Sequence, residues 1–205
     1  MRPPLHIPDL CAARAVILHR PHTLVQAIIR QLTAIGLNVS ASWPELGPEA
    51  LGADFVFFDV DMGYDEQFPW AACNAPMPLI ALIGSEAPGR IEWAIAHGSD
   101  AQLLKPVGDS GVYSALLIAR QSFEARQRLQ AEISDLQTRL SERQTVVQAV
   151  TLLAASGKCD ADAYCHLRQL AMSRRETIEQ AAQRVVARLG QRRLAVFGFV
   201  LILLT

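Results

Sequence analysis

The sequence predicts an α/β domain with a five-stranded parallel sheet, followed by a long helix and a small unit of three helices. Three observations lead to this prediction. Short apolar runs alternate with helix-like segments over residues 14–119, which is typical of a parallel sheet covered on both faces. Residues 116–155 contain no proline or glycine and carry apolar side chains at heptad spacing. Gly157 then ends the long helix, and two shorter helical patterns follow it.

The predicted strands are five apolar runs, at residues 15–18, 37–42, 54–59, 78–83 and 101–104. Between them, residues 23–35 carry apolar side chains at helical spacing, and Gly36 follows as a C-cap. A second helix is predicted over residues 87–97, and a third begins near Ser110. The alternation of strands and helices places all five strands parallel in one sheet.

The long helix carries an apolar seam that Arg143 interrupts. At 1.5 Å per residue this helix is about 60 Å long. A lone helix with an apolar stripe needs a partner, so we favour a parallel homodimeric coiled coil. The alternative is that the helix packs back onto the first domain. The residues expected to form the dimer seam are Leu129, Ile133, Leu136, Leu140 and Val147.

Two short helices complete the chain. Asp160 is the predicted N-cap of the first, which reaches Ser173, and the second runs from about Arg175 to Leu189. With the end of the long helix they form a three-helix unit.

The predicted domains are residues 1–119, 120–142 and 143–193, followed by an apolar tail at 194–205 whose role is unassigned. A helix of about twelve residues rises about 18 Å, which is short of a bilayer core of about 30 Å. We therefore expect no membrane span.

The net charge of −1 conceals an uneven distribution. The net charge is −6 over residues 1–119, 0 over 120–142 and +5 over 143–205. Arginine makes up all of the 19 cationic side chains except Lys105 and Lys158. Because its planar guanidinium suits phosphate contacts, the basic end is compatible with a nucleic-acid partner. A high GC content of the coding sequence is an alternative source of the arginine bias.

The cysteines indicate neither a metal site nor a catalytic site. Cys11, Cys73, Cys159 and Cys165 lack zinc-like spacing, and no nucleophile–base pair is evident. Residues 1–10 contain three prolines and no apolar run typical of a signal peptide. We predict a cytoplasmic protein with reduced thiols that is not an enzyme and has no metal or cofactor.

The first domain resembles the receiver domains of response regulators, which have a flavodoxin-like fold. Asp59 ends the third strand, where receivers carry the phosphoryl-accepting aspartate, and Lys105 matches the lysine that pairs with the phosphoryl group. The acidic pair that holds Mg²⁺ in receivers is replaced by His19 and Arg20, and the hydroxyl residue by Ile83. Because cations repel Mg²⁺ and phosphoryl transfer depends on that ion, the resemblance implies a pseudo-receiver.

In a pseudo-receiver, Asp59 would pair with Lys105 or Arg20 as a structural ion pair. We interpret the neighbouring Asp61 as a solvated loop residue. Residual phosphorylation at Asp59 is the alternative.

The C-terminal segment, residues 143–190, resembles the ANTAR domain, an RNA-binding antitermination module. The resemblance rests on Gln148-Ala149, Gly157, Ala163-Tyr164 and Ala171-Met172. RNA is bound through phosphate charge, stacking and base-edge hydrogen bonds. Tyr164 is interpreted as a core residue and not as a stacking platform. The candidate RNA-contacting residues are Gln144, Gln148, Lys158, His166, Arg168, Arg174, Arg175 and Arg184. The alternative is that these side chains only form a solvated face.

The order of pseudo-receiver, coiled coil and ANTAR domain resembles the regulators of amidase operons. This resemblance implies a homodimer that binds a two-hairpin leader RNA and lets RNA polymerase pass a terminator. It also implies control by a ligand-sensing partner that is similar to periplasmic binding proteins. Two alternatives are a protein-interaction adaptor without RNA binding and a two-component response regulator that binds DNA.

Overall fold

The computed structural model describes residues 10–155, 157 and 159–189. The predictions for Lys158 and for the apolar tail at 194–205 lie outside the described residues. The described chain divides into two compact units, and the division falls between Arg128 and Leu129. The long helix crosses this division.

The first unit is built on a five-stranded sheet, as predicted. The strands are β1 (Arg14–Leu18), β2 (Asn38–Ser42), β3 (Phe55–Asp59), β4 (Leu79–Ile83) and β5 (Ala101–Leu104). All pair in parallel, in the order β2-β1-β3-β4-β5. The helices of this unit are α1 (Thr23–Ile35), α2 (Pro88–Ala96) and the beginning of α3 (Val112–Ala154), and 3₁₀ turns lie at Pro48–Gly52 and Asp65–Gln67.

Alternate side chains of the central strands enter two separate cores, because successive residues of a strand point to opposite faces. On one face Ile17, Phe57 and Leu82 pack against α1 and the first turns of α3. On the other face Phe58 and Ile83 pack against α2 and the long loops. The fully buried β3 and β4 explain the continuous apolar runs of the sequence.

The caps of α1 fix the chain beside the carboxyl end of β1. His22 is the N-cap, and its side chain accepts a hydrogen bond from the backbone N–H of Leu24. Gly36 is the predicted C-cap and has φ +105°, a left-handed conformation that favours glycine. Helix α1 therefore begins only a few residues after β1, which places its first turns at that edge of the sheet.

The second unit contains the end of α3, helix α4 (Asp160–Arg174) and helix α5 (residues 178–189). Its core consists largely of alanine, which allows close helix packing; the buried residues are Ala149, Ala163, Leu167, Ala171, Ala181 and Ala182. The three-helix unit predicted from the sequence is therefore present.

Both predicted boundaries of the short helices need correction. The N-cap of α4 is Cys159 and not Asp160, since the Cys159 thiol accepts from the Asp162 N–H. Arg175 adopts a left-handed conformation, with φ +55°, and ends α4 instead of beginning α5. Helix α5 begins after Thr177, which exchanges hydrogen bonds with Gln180 in a capping box. None of the described helices combines the length and apolarity needed to cross a bilayer.

Candidate functional site

The carboxyl edge of the sheet brings together the charged residues that the sequence singled out in the first domain. Asp59 ends β3 and is 2% exposed. Lys105 follows β5, and its Nζ lies 2.5 Å from Asp59 Oδ1 and 2.9 Å from Asp61 Oδ2. The lysine therefore bridges two carboxylates. Of the two partners proposed for Asp59, the structure selects Lys105 and not Arg20.

His19 occupies the remaining side of Asp59. Its Nε2 lies 3.4 Å from Asp59 Oδ2, and its Nδ1 lies 2.6 Å from the carbonyl oxygen of Arg20. Carboxylate and carbonyl oxygens only accept hydrogen bonds, so the imidazole is the donor in either contact that it makes here. Asp59 Oδ1 also accepts the backbone N–H of Asp61. Both carboxylate oxygens of Asp59 are thus occupied by groups of the protein.

Asp61 is a structural residue, and its interpretation as a solvated loop residue is wrong. It accepts hydrogen bonds from the backbone N–H groups of Gly84 at 3.0 Å and Ser85 at 2.8 Å. Burial acts to raise the pKa of Asp61, but the Lys105 ammonium and these backbone donors together hold it below the ordinary value. Asp61 thereby connects the ends of β3, β4 and β5.

The same edge lacks the groups that a receiver uses to hold Mg²⁺. Ile83 ends β4 as a buried apolar residue, and the Lys105 ammonium lies between the two carboxylates. Within residues 10–155, 157 and 159–189, no three histidine, cysteine or acidic residues gather at metal-binding distance. Arg20 is exposed on the rim of a cavity of about 670 Å³ at this edge.

The second unit presents a basic surface. Arg168, Arg174, Arg175, Arg184 and Arg188 are all exposed. Three of them, Arg174, Arg184 and Arg188, line one shallow hollow of about 50 Å³ together with Glu176. Glu176 forms an ion pair with Arg184. The structure thus gathers three of the arginines, whereas Arg168 and Arg175 do not line the hollow.

The other predicted RNA-contacting residues differ in exposure. Gln144 and Gln148 are exposed one turn apart on α3, and His166 on α4 is half-buried. Tyr164 is 45% exposed, so its interpretation as a core residue is wrong. Ala163, Leu167 and Ala171 already fill the inward face of α4, and Tyr164 lies one step of about 100° beyond that face.

The predicted dimer seam is open to solvent in the single chain. Its five residues, Leu129, Ile133, Leu136, Leu140 and Val147, are 54–66% exposed. Large apolar side chains in a continuous exposed stripe are unusual on a monomeric surface.

Sequence reasoning missed two residues of these sites. Glu176 was not identified as the partner of Arg184, although an acidic residue between two short basic helices is a visible signal. Arg30 lines the cavity at the sheet edge. It lies seven residues, about two helical turns, after Thr23 on α1, so the two residues share one face of the helix, and this spacing could have identified it.

Comparisons with known proteins agree with both units. The N-terminal domain family of AmiR matches residues 13–120, and the ANTAR domain family matches residues 134–186. The chain belongs to the AmiR family of ANTAR-domain regulators. The receiver-like domain therefore comes first in the chain, and the end of the long helix together with α4 and most of α5 corresponds to the ANTAR domain.

Two relatives of known name, both found by sequence, support this assignment. The chain is 27% identical to the aliphatic amidase regulator of Pseudomonas aeruginosa, over 84% of this chain and 90% of that protein. It is 30% identical to the transcriptional regulatory protein PdtaR of Mycobacterium tuberculosis, over 67% of this chain and 69% of that protein. Among solved structures, full-length FixJ from B. japonicum is similar with a TM-score of 0.44 and 15% identity, covering 88% of this chain and 98% of that one.

Proposed function

We propose that this regulator is a homodimeric transcription antiterminator that binds hairpin leader RNA through its ANTAR domain. The observation that carries the proposal is the convergence of Arg174, Arg184 and Arg188 on one exposed hollow of the three-helix unit. Clustered guanidinium groups bind phosphate oxygens, and neutralised phosphates dominate the affinity for RNA. We extend the contact surface to Arg168, Arg175, Lys158, His166, Gln144 and Gln148.

Dimerisation is the second element of the proposal. The exposed seam of α3 supports it, because pairing two such stripes removes apolar surface from water. A dimer holds two RNA-binding units together, so two neighbouring hairpins are bound with higher avidity than one. We place the protein in the cytoplasm, where leader RNA is transcribed, and we divide it at the predicted boundaries of 1–119, 120–142 and 143–193.

Control by a protein partner, and not by phosphorylation, is the third element. His19 and Arg20 replace the acidic pair that would hold Mg²⁺, and phosphoryl transfer to Asp59 depends on that ion. We expect acetyl phosphate and Mg²⁺ to give no phosphorylated protein, and we assign no catalytic role to this domain. A ligand-sensing partner similar to a binding protein would then supply the signal.

The RNA-binding element is tested by electrophoretic mobility shift with a transcript containing two adjacent hairpins. We compare the wild-type chain with the variant Arg174→Ala/Arg188→Ala, which leaves the Arg184–Glu176 ion pair intact. We expect about tenfold weaker binding and a shallower salt dependence, by about one unit of slope for each phosphate that is no longer neutralised.

The matched control is Arg14→Ala/Arg120→Ala, which removes the same charge from the first unit. It is expected to bind like the wild type. Absence of RNA binding at low salt would overturn the proposal in favour of the adaptor, and equal binding of duplex DNA would favour the DNA-binding response regulator.

A further inference from the structure

The cavity at the carboxyl edge of the sheet is large, open and central. It has a volume of about 670 Å³, within the usual range of about 300–1,000 Å³ for small-molecule sites. It lies at the carboxyl ends of the neighbouring strands β1 and β3. In the strand order β2-β1-β3-β4-β5, the chain passes from β1 to β2 on one side and from β3 to β4 on the other. Ligands of open parallel sheets bind at this switch point of the strand order.

The charges that line this cavity do not cancel. Lys105 forms ion pairs with both Asp59 and Asp61, so these three groups together carry a net charge of −1. Arg20 and Arg30 also line the cavity and are exposed. Among the described residues, neither arginine has a carboxylate within 4 Å. The five charged side chains of the described lining therefore sum to +1, and the two guanidinium groups are its cations without a carboxylate partner.

The position of Arg30 follows from the geometry of α1. Thr23, Ala27 and Arg30 are spaced by four and three residues, so they share one face of the helix, and all three line the cavity. Arg20 lies in the loop between β1 and α1 and lines the same cavity. The two arginines thus border one cavity from two different elements.

Part of the wall is apolar: Leu24, Met62, Pro106 and Val107 line the cavity, and Met62 is half-exposed. The polar side chains of His19, His22 and Thr23 are also part of the lining. A ligand that fits this lining combines an anionic end with a body that has an apolar face.

We infer that this cavity binds a phosphorylated small molecule of mononucleotide size, with its phosphate held by Arg20 and Arg30. A phosphate monoester offers three terminal oxygens and can accept from two guanidinium forks, whereas a carboxylate offers two oxygens and saturates one fork. The apolar wall then covers one face of the organic body. No covalent step is involved, and the ligand replaces neither the Asp59 nor the Lys105 interactions.

The experiment is isothermal titration calorimetry of the full-length chain with AMP, GMP, CMP and UMP in buffer containing EDTA. Adenosine and inorganic phosphate are titrated as separate arms. We expect one mononucleotide to bind once per chain, more tightly than inorganic phosphate, and the nucleoside to bind far more weakly. Absence of heat with all four mononucleotides up to about 1 mM would overturn the inference, as would equal affinity for inorganic phosphate.

Two variants locate the site. Arg20→Gln/Arg30→Gln is expected to weaken binding by tenfold or more, since each substitution removes a charge-assisted hydrogen bond. Arg20→Lys/Arg30→Lys keeps the charge without the planar forks, and it is expected to have intermediate affinity. Arg14→Gln, at the opposite end of β1, is the matched control and should bind like the wild type. Unchanged affinity in the glutamine variant, with an unchanged thermal unfolding midpoint, would contradict the assignment.

This inference does not depend on RNA binding. The titration contains no RNA, and the arginines of the three-helix unit are unchanged in all its variants. A negative titration therefore leaves the proposed antitermination function untouched, and a negative mobility shift leaves the cavity assignment untouched.

Discussion

The two units of this chain treat the same kinds of residues in opposite ways. At the sheet edge of the first unit, Lys105 and His19 surround a nearly buried Asp59, and the apolar residues of the central strands are covered. In the second unit, arginines and a leucine seam face the solvent. Charges that are paired and buried belong to the fold, whereas charges and apolar surfaces left open are available to partners. The difference indicates that the paired charges around Asp59 serve the fold of the first unit, whereas the second unit leaves arginines and an apolar seam exposed.

The largest expected effect concerns the open seam. The variant Leu136→Asp/Leu140→Asp should raise the dissociation constant of the dimer by about 100-fold or more, because each leucine contributes about 1.5–3 kcal/mol when buried. Sedimentation equilibrium measures this change. Ser134→Asp/Ser141→Asp adds the same charge at positions directly after Ile133 and Leu140, on the outward side of the seam, and should leave the dimer intact. A wild-type chain that remains monomeric at high concentration would contradict the proposed dimer, because the apolar seam would then stay exposed to solvent.

The next effect concerns the paired charges around Asp59 at the sheet edge. Lys105→Ala removes the cation between Asp59 and Asp61, so a buried carboxylate loses its main partner. We expect the free energy of unfolding to fall by about 3 kcal/mol, as measured by urea denaturation. The paired variant Asp59→Asn/Lys105→Met removes the lysine together with its more buried carboxylate partner and leaves only the less buried Asp61, so it should recover much of this loss.

The control for this effect is an exposed ion pair. Arg139 and Asp135 interact across one turn of α3 at 3.0 Å, and both are well exposed. Arg139→Ala should change the free energy of unfolding by less than about 0.5 kcal/mol. If the Lys105→Ala and Arg139→Ala variants had equally small effects on the free energy of unfolding, the Lys105–Asp59–Asp61 cluster would not have the structural role that its geometry indicates.

Much of the fold was predictable because it depends on local pattern. The apolar runs located all five strands to within about one residue, and the spacing of Leu24, Ile28 and Leu32 gave α1 its observed bounds. The beginning of α5 was also predictable, since Thr177 and Gln180 form a recognisable capping box, but the apolar periodicity extended the helix back to Arg175. The thiol cap of Cys159 is outside the usual set of N-cap side chains.

The sites were less predictable because they depend on contacts between residues far apart in the chain. The sequence left Lys105 and Arg20 as alternative partners of Asp59, and only the structure identifies Lys105. The position of Asp61 depends on the approach of the backbone of Gly84 and Ser85 after β4, which no local pattern encodes. Likewise, Tyr164 fits an apolar helical pattern, but its exposure is decided by the small alanine core that the other helices complete.

The smallest expected effect concerns one ion pair, Arg184–Glu176, within the exposed basic hollow of the second unit. Among the described residues, Glu176 is the one acidic residue that lines the basic hollow, and its side chain is 10% exposed beside Arg184 at 43%. Glu176→Gln removes the charge that neutralises Arg184, so that guanidinium becomes available to a phosphate. We expect RNA affinity to rise a few-fold and the salt dependence to steepen by about one unit.

The same substitution should cost some stability, because the hydrogen bonds of a mostly buried carboxylate are stronger than those of an amide. Glu179→Gln is the matched control. Glu179 lies in the first turn of α5 and does not line the hollow, so its substitution removes the same charge from the second unit without touching the Arg184–Glu176 pair. If both substitutions raised RNA affinity equally, the gain would reflect net charge alone. A gain confined to Glu176→Gln would show that Arg184 binds RNA once it is released, and that the open surface is partly restrained by an internal ion pair.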